Sequence, residues 1–398
     1  MGRCGSTYRC KIIFGNKLLK LPGKTGELFL CQKLIFVNMR RKQVKNIINT
    51  RIITIVVLAV LIFLLILLSD YPQLVERYYS EGLYPWVCRL LHPVLNLFPF
   101  SVGDVLYTIV VCYLIYALAK VIRLLFKKEF KKLLVYLSGI TIGVEAAILI
   151  FYLFWGMNYF RPSAGLRLNL RDTGYTTQQL FRVTSRMIDS ANICRARLTD
   201  ADLQHDNSVI YQTAIAATKA LSITSSNFRT YSPGIKPSLL TPLMNYLGTS
   251  GYYNPFTTET QLNYEAPYFE RPVVACHEMS HQVGYGAEDE ANFVGFLAGI
   301  NSKDRLLRYS AYQLALDECM HALRYRDTTA NNTLKKRVSA TVRSDIKTQR
   351  LYWLAYRSKI GSISSFFYND FLKVNNQPHG LDTYNQMVLL VVAWDRHQ

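Results

Sequence analysis

The chain has 398 residues, half of them hydrophobic, and its formal net charge is +19 at neutral pH. A basic face on a soluble domain would indicate nucleic-acid binding. Here, however, the apolar residues concentrate in three long runs before residue 157, and many basic residues flank those runs. Membrane-spanning segments explain both numbers at once, so the composition argues against a nucleic-acid-binding protein and predicts membrane lipid as a partner.

The N-terminal segment, residues 1–38, matches neither a signal peptide nor a folded domain. Its apolar piece, ELFLCQKLIFVN, is too short and too broken to span a bilayer. The sequence MRRKQVKN, which begins at Met39, is typical of a cytoplasmic start before a membrane helix. We therefore expect residues 1–38 to be a non-native or disordered extension of the chain.

Three apolar runs predict three transmembrane helices, at about 52–69, 104–125 and 133–155, within a membrane region of residues 39–157. An amphipathic core helix would carry a polar stripe, and these runs carry almost none. Glu145 is the only charged residue inside the third run. This carboxyl group is costly in lipid, and a helix-packing contact is its favoured role.

The basic residues are distributed unequally between the two ends of the predicted spans. Those before the first span and between the second and third are Arg40, Arg41, Lys42, Lys45, Arg51, Lys120, Arg123, Lys127, Lys128, Lys131 and Lys132. The loop of residues 70–101 has only Arg77 and Arg89. By the positive-inside rule, the N-terminus is cytoplasmic and the region after the third span lies outside the cytoplasm.

Residues 158–398 form one predicted domain, which is mainly helical. Helical spacing of apolar residues follows a threonine cap in TTQQLFRVTSRMIDSANICRARL and recurs in NSVIYQTAIAATKAL. The proline- and glycine-rich section of residues 231–267 is too punctuated for a helix. Within it, PFTTETQLNY alternates and predicts a strand at about residues 256–264. Helices are predicted again from Pro272 onward, so the domain is α+β.

The stretch VACHEMSHQVGYGAEDEANF, residues 274–293, carries the chemistry. At 3.6 residues per turn, His277 and His281 project from one helix face, as two ligands of a single ion require. Glu278 then lies beside the ion, where it can take a proton from an activated water and return it to a leaving amine. The short pattern H-E-x-x-H also arises by chance, so its context must decide.

The context supplies a third ligand. Gly284 and Gly286 allow the chain to turn after the second histidine, and two carboxylates then open another helix. We favour Glu288 as the ligand, with Asn292 one turn later bonding a ligand from behind. Glu290 is the alternative, because it lies about 200° around the same helix and only one of the two can face the ion. Two histidines, one carboxylate and an open position are typical of a catalytic Zn²⁺ site.

These motifs resemble those of known proteins. HEMSH followed by EDEAN is similar to the zincin metallopeptidases whose third ligand is a glutamate in E-x-x-A-D/N, although the gap between His281 and Glu288 is shorter here. YYSEGLYPWV, PFSVGDVLY, WGMNYFRP, GYYNPFTTETQLN and RYSAYQLAL resemble a family of bacterial polytopic membrane proteins known as a domain of unknown function. The resemblance implies zinc bound by His277, His281 and Glu288, with Glu278 as the base.

A candidate substrate strand and a candidate oxyanion stabiliser each have an ordinary structural alternative. Zincins hold an extended peptide along an edge strand, and Phe256, Thr257, Thr258 and Glu259 are the candidate residues for it, although an ordinary structural strand is equally consistent. Tyr309 could place a phenol over a developing oxyanion, but core packing is the favoured role.

The fold class predicted from the sequence is an N-terminal three-helix membrane region followed by a zincin-like domain outside the cytoplasm. The function expected is a zinc-dependent hydrolase in the cytoplasmic (inner) membrane, with a peptidase favoured and a peptide or protein of the cell envelope as its substrate. The alternative is a non-enzymatic envelope scaffold or assembly protein that retains the zincin helix as a structural element.

Overall fold

The computed structural model describes residues 11–14, 17–20, 25–170, 174–380 and 386–396. Of the predicted N-terminal extension, residues 1–10, 15–16 and 21–24 therefore lie outside the described part. Between them, strands β1 (Lys11–Phe14) and β2 (Lys17–Lys20) pair antiparallel. The first helix begins at Thr25.

The described α-helices follow in chain order: α1 (Thr25–Ser69), α2 (Pro72–Leu74), α3 (Tyr84–Leu95), α4 (Val102–Phe126), α5 (Phe130–Phe154), α6 (Ala164–Arg167), α7 (Thr177–Ala196), α8 (Asp200–Leu203), α9 (Asn207–Thr224), α10 (Thr241–Leu247), α11 (Arg271–Val283), α12 (Glu288–Ile300), α13 (Arg305–Arg326), α14 (Thr328–Lys335), α15 (Ala340–Ala355), α16 (Lys359–Val374) and α17 (Met387–Asp395). A π-helix covers Val75–Leu83, and 3₁₀ turns cover Gly156–Phe160 and Ser226–Phe228.

Three of these helices are long and apolar enough to cross a membrane. They cover Asn46–Ser69, Val102–Phe126 and Phe130–Phe154. Each includes nearly all of one span predicted from the sequence, with a few residues added at most ends. The chain therefore has the length and composition of a protein with three membrane-spanning helices.

The chain divides into two compact units. One comprises Met1–Leu61 and Lys120–Ala146. Within it, the Arg51 guanidinium donates hydrogen bonds to the Val135 carbonyl and, over 3.0 Å, to Ser138 Oγ. An arginine in an apolar helix is stabilised by such polar partners on a neighbouring helix.

The second unit comprises Ile62–Ala119 and Ala147–Gln398 and contains the main hydrophobic core. Helix α7 packs along α13, and α9, α11 and α12 all pack against one another. The start of α7 is capped as the sequence predicts, because Thr176 and Gln179 form a reciprocal capping box. A Cβ added at Gly295 would lie 2.9 Å from the main-chain nitrogen of His277, so this glycine allows α12 to approach α11 closely.

A three-stranded sheet lies beside α11, with strand order β3–β5–β4. β3 is Lys236–Pro237, β4 is Gly251–Asn254 and β5 is Glu259–Leu262. β4 and β5 pair antiparallel, whereas β3 runs parallel to β5. β5 is therefore the central strand, and β4 is an edge strand.

The predicted strand of residues 256–264 is only partly right. Residues Phe256, Thr257 and Thr258 lie in the turn that joins β4 to β5, because the Asn254 side chain accepts hydrogen bonds from the Phe256 and Thr257 amides. The section of residues 231–267 was also predicted to contain no helix, but α10 lies within it. This helix is short, with a proline in its first turn and the left-handed Gly248 after its end.

A second, largely aromatic cluster joins the ends of the apolar helices to the domain. Its buried members are Val75, Tyr79, Tyr84, Cys88, Trp155, Met157, Tyr159 and Tyr253. Arg161, just after α5, bonds Glu76 through two nitrogens at 2.6 and 2.7 Å and donates a third bond of 2.9 Å to the Gly284 carbonyl. One buried arginine therefore ties the π-helix to the end of α11.

Replacing Arg161 with alanine should destabilise the protein strongly. The side chains of Arg161 and Glu76 are only 8% and 15% exposed, so the change leaves a poorly hydrated carboxylate without its partner. We expect a loss of about 3–5 kcal/mol in the free energy of unfolding, measured by denaturant titration of the full chain in detergent. The control is Arg186→Ala, because Arg186 is 59% exposed in its pair with Asp395 and should contribute less than about 1 kcal/mol. Equal losses for the two variants would contradict this account of Arg161.

Candidate metal centre

Helix α11 presents the HEMSH residues in the interior of the domain. A proline in its first turn favours the helix start, and Gly284 ends it in the left-handed conformation with φ of 99°. All four side chains considered as metal ligands or base in the preferred assignment are buried: His277, Glu278, His281 and Glu288 are 7%, 5%, 5% and 2% exposed. Ionisable groups at such depth need charged or hydrogen-bonding partners.

The two histidines and Glu288 converge on one point. Glu288 Oε2 lies 3.2 Å from His277 Nε2 and 3.4 Å from His281 Nε2. His277, Glu278 and His281 each offer one ligand atom within 4.8 Å of the others. A cluster of two imidazole nitrogens and carboxylate oxygens at this spacing can hold a metal ion.

His281 is held by a main-chain carbonyl at its ring and by a tryptophan side chain at its own carbonyl. Its Nδ1 lies 2.7 Å from the Tyr285 carbonyl oxygen, which can only accept a hydrogen bond. Nδ1 therefore carries the proton, and Nε2 directs its lone pair at the cluster when the ring is neutral. Trp155 Nε1 donates a 2.8 Å bond to the His281 carbonyl, and the two rings meet edge to face.

Glu288 is the first residue of α12, where the helix dipole favours a negative charge. Its Oε1 accepts a 2.7 Å hydrogen bond from the Tyr368 hydroxyl of α16. Its Oε2 faces the two histidines, and no other side chain among the described residues donates a hydrogen bond to it. A buried carboxylate oxygen aimed at two imidazole nitrogens fits the third ligand of a metal ion.

Electrostatics distinguish the charged groups of the cluster. Burial alone would raise the pKa of Glu288, but His281 and His277 hold it well below its usual range. Burial alone would lower the pKa of His281, but the Glu288 carboxylate raises it to about 9. For Glu278, burial dominates over the two histidines and raises its pKa to about 7. A carboxyl group that titrates near neutrality can both accept and donate a proton.

Glu290, the alternative ligand, points elsewhere. Its Oε1 accepts a 2.6 Å hydrogen bond from the Ala164 amide, and its Oε2 lies 3.7 Å from Arg167. Burial raises the pKa of Glu290, and Arg167 opposes that rise. The geometry thus brings Glu288 to the histidines and Glu290 to an arginine.

Among the described residues, neither Asn292 nor Tyr309 bonds a member of the cluster, and Tyr309 is fully buried in the main core, as the favoured prediction of core packing expects. Asn292 is buried one turn after Glu288, but its amide makes no hydrogen bond with the described residues, and Tyr368 bonds the carboxylate instead. The Tyr309 hydroxyl donates a 2.6 Å bond to Asp345, which also pairs with Arg195. The spacing along α13 directs Tyr309 at this separate polar cluster rather than at the histidines.

The predicted substrate strand also has a different role. Glu259 accepts a 2.7 Å bond from the Gly103 amide at the start of α4 and pairs with Lys236 at 2.7 Å. This carboxylate therefore caps a membrane-length helix. The strand beside the catalytic candidate is β4: a Cβ added at Gly251 would lie 2.7 Å from Glu278 Cγ, so only glycine allows this approach.

A cavity of about 330 Å³ lies next to the C-terminal end of α11. Polar side chains dominate its lining, among them Arg161, Asn227 and Gln282. None of the four residues of the cluster lines it. The cavity is therefore separate from the candidate metal centre.

These features define a class: a protein with three membrane-length apolar helices and a mainly helical domain that buries a His–Glu–His cluster. The comparison with protein families matches residues 79–392 to the DUF3810 family, described as a protein of unknown function. The match covers well over half of the chain, which therefore belongs to this family. Neither the curated proteins nor the solved structures give a match.

Replacing Glu288 or Glu290 with glutamine should separate a ligand from a structural carboxylate. Glu288→Gln removes the charge beside both histidines. If the cluster binds zinc, the affinity should therefore fall by more than the roughly 10- to 100-fold typical of a residue behind the ligands. Glu290→Gln retains an oxygen for the Ala164 amide and should keep most of the zinc affinity. Competition with a chromophoric chelator measures both affinities. A larger loss for Glu290→Gln would mean that Glu290 is the ligand.

Proposed function

We propose that this chain is a membrane-anchored zinc-dependent hydrolase of the metallopeptidase type. The observation that carries the proposal is the position of Glu288 Oε2 within 3.4 Å of both His277 Nε2 and His281 Nε2, with Glu278 beside them. Two imidazoles and one carboxylate leave room for a fourth position, which distinguishes catalytic from structural zinc sites. The glycine turn and the EDEAN helix start give the same ligand pattern as zincins, so we assign the domain a zincin-like role.

In this proposal, the residues in and around the cluster divide into metal ligands, a general base and groups that orient the ligands. His277, His281 and Glu288 would hold the ion, which supplies Lewis-acid activation of water and of the scissile carbonyl. Glu278 takes the proton of the attacking water and returns it to the leaving amine. Tyr368 and the Tyr285 carbonyl hold Glu288 and His281 in orientation.

A peptide is the substrate that the surroundings favour. β4 is an edge strand, and Gly251 places its backbone against Glu278. An extended peptide can add to such an edge through main-chain hydrogen bonds, which would bring a scissile bond near the base. β4 thus replaces residues 256–259 as the proposed substrate strand.

The proposed location is the outer side of the cytoplasmic membrane. The basic residues before the first span and between the second and third support a cytoplasmic N-terminus. With three spans, this orientation would put residues 158–398 outside the cytoplasm.

A reporter enzyme that folds only in the cytoplasm, fused after Gln398, should therefore be silent. The same reporter fused in the basic loop after Lys127 is the matched control and should be active. Cell-based reporter activity, normalised to fusion protein level, is the measurement. An active C-terminal fusion would reverse the orientation.

The change Glu278→Gln should abolish hydrolysis without removing the metal. The base is lost but the three proposed ligands remain, so we expect activity to fall by about 10²- to 10⁴-fold while bound zinc stays near one per chain. The measurement is the number of new protein termini produced by cleavage, which is compared between the envelope fractions of wild-type and variant cells.

Complementation of a chromosomal deletion by variants of the protein decides between a catalytic role and a scaffold role. If the function is hydrolytic, Glu278→Gln should fail to complement the deletion, as His277→Ala does. Complementation by Glu278→Gln but not by His277→Ala would assign the cluster a structural role and overturn the proposal.

A further inference from the structure

Helix α16 exposes a row of large apolar side chains. Ile360, Ile363, Phe366, Phe367 and Val374 are 58%, 59%, 63%, 66% and 74% exposed. At 100° per residue they fall within an arc of about 120° on one side of the helix. A contiguous apolar face of this kind on a folded domain marks an interaction surface.

The opposite side of α16 is already in contact with the protein. A Cβ added at Gly361 would lie 2.8 Å from the Tyr246 carbonyl, and Leu372 is fully buried. Tyr368, on the same side, donates its hydrogen bond to Glu288. The helix is therefore held in a fixed orientation with its apolar arc outward.

Helix α10 packs against the start of α16 and has exposed apolar side chains of its own. Leu239, just before α10, and Leu243 and Tyr246 within it are 54%, 47% and 50% exposed. Ser358 Oγ donates a 2.8 Å hydrogen bond to the Tyr246 carbonyl, which joins α10 to the start of α16. We call the exposed apolar residues of this region, 239–246 and 360–374, the α10–α16 patch.

The patch adjoins the ends of two membrane-length helices. The Leu239 amide donates a 2.7 Å hydrogen bond to Asp104, in the first turn of α4. The Phe371 ring lies 5.9 Å from the ring of Phe151, in the last turn of α5. If α4 and α5 cross a bilayer, both contacts lie at the level where the helices leave it.

We propose that the α10–α16 patch lies in the lipid interface, with α16 as an amphipathic helix parallel to the bilayer surface where α4 begins and α5 ends. Such helices bury their apolar face about 5–10 Å deep, at the boundary of headgroups and acyl chains. Arg357, Lys359 and Lys373 lie at the two ends of α16 and are exposed, as cations that reach lipid phosphates require. Asp370 lies inside the apolar arc. A helix buried only about 5–10 Å deep in the interface leaves the Asp370 carboxylate within reach of water.

Lipid contact at α16 has a consequence for the cluster of His277, His281 and Glu288. The lipid-facing helix is the one that supplies Tyr368 to Glu288. Tyr368 is thus a positioning residue carried by a membrane-bound element. The lipid proposal itself rests on exposure and position, so it stands or falls independently of the metal and of catalysis.

Depth-dependent quenching tests the proposal on the full chain in lipid nanodiscs. An environment-sensitive fluorophore is attached to Ile363→Cys or Phe367→Cys, in a background where Cys4, Cys10, Cys31 and Cys112 are serine. Lipids with a nitroxide on the acyl chain should quench either probe by more than about twofold, and its emission should shift to the blue relative to a water-exposed label. Cys276 and Cys319 are buried, so their labelling would reveal a variant that has unfolded.

Ser365→Cys is the matched control, because Ser365 is exposed on the same helix at about 160° from Phe367. Its probe should be quenched little by nitroxide lipid and strongly by aqueous iodide. Iodide quenching of all three probes alike would overturn the proposal. A second result would also overturn it: the Ile363→Cys probe is shielded from iodide but not quenched by nitroxide lipid, and the unlabelled variant forms disulfide-linked dimers. A second copy of the chain would then cover the patch.

Discussion

The burial of the Glu288 carboxylate between two imidazole rings is the constraint on which the site depends. A charge at 2% exposure is unstable in a protein interior unless opposite charge and hydrogen bonds surround it. The fold meets this requirement with both histidines, the Tyr368 hydroxyl and the N-terminus of α12. Each partner comes from a different part of the domain or a different turn of α11. The positions of α11, α12 and α16 are therefore coupled through one carboxyl group.

The segments next to the apolar helices belong to the same polar framework. Tyr84 donates a 2.7 Å bond to the Gln282 carbonyl, and Arg161 bonds the Gly284 carbonyl. Both acceptors are in or directly after the last turn of α11, where helix carbonyls lack intrahelical partners. The chain thus satisfies the end of the buried helix α11 with donors from segments that adjoin the apolar helices. This explains why those segments are part of the main unit rather than a separate linker.

Much of this arrangement could be predicted from local patterns in the sequence. Long apolar runs predicted the three apolar helices, and helical spacing with a threonine cap predicted α7. The i, i+4 spacing of His277 and His281 predicted that these side chains share one helix face, and the angular separation of Glu288 and Glu290 predicted that only one of the two carboxylates can join them. These inferences succeed because helix geometry fixes the relative directions of residues a few positions apart.

The remaining features depend on contacts between distant segments. Tyr368 follows Glu288 by 80 residues, and no local spacing connects the two. The alternation in PFTTETQLNY indicated a strand, but the side chain of Asn254 converts its first half into a turn. Glu259 was assigned to a substrate strand because the sequence does not reveal that the start of α4 lies beside it. Tertiary contacts decide such cases, and alternation or propensity alone does not.

The hydrogen bond from Trp155 to the His281 carbonyl joins the end of α5 directly to the histidine. If α5 crosses the membrane, its tilt adjusts to the thickness of the surrounding hydrocarbon layer, because a span of fixed length leans over in a thin bilayer and stands upright in a thick one. Trp155 follows α5 immediately, so a change in tilt displaces the indole and the carbonyl it holds. Bilayer thickness would then act on the position of the His281 main chain through this one hydrogen bond, so lipids could influence the histidine without contacting it.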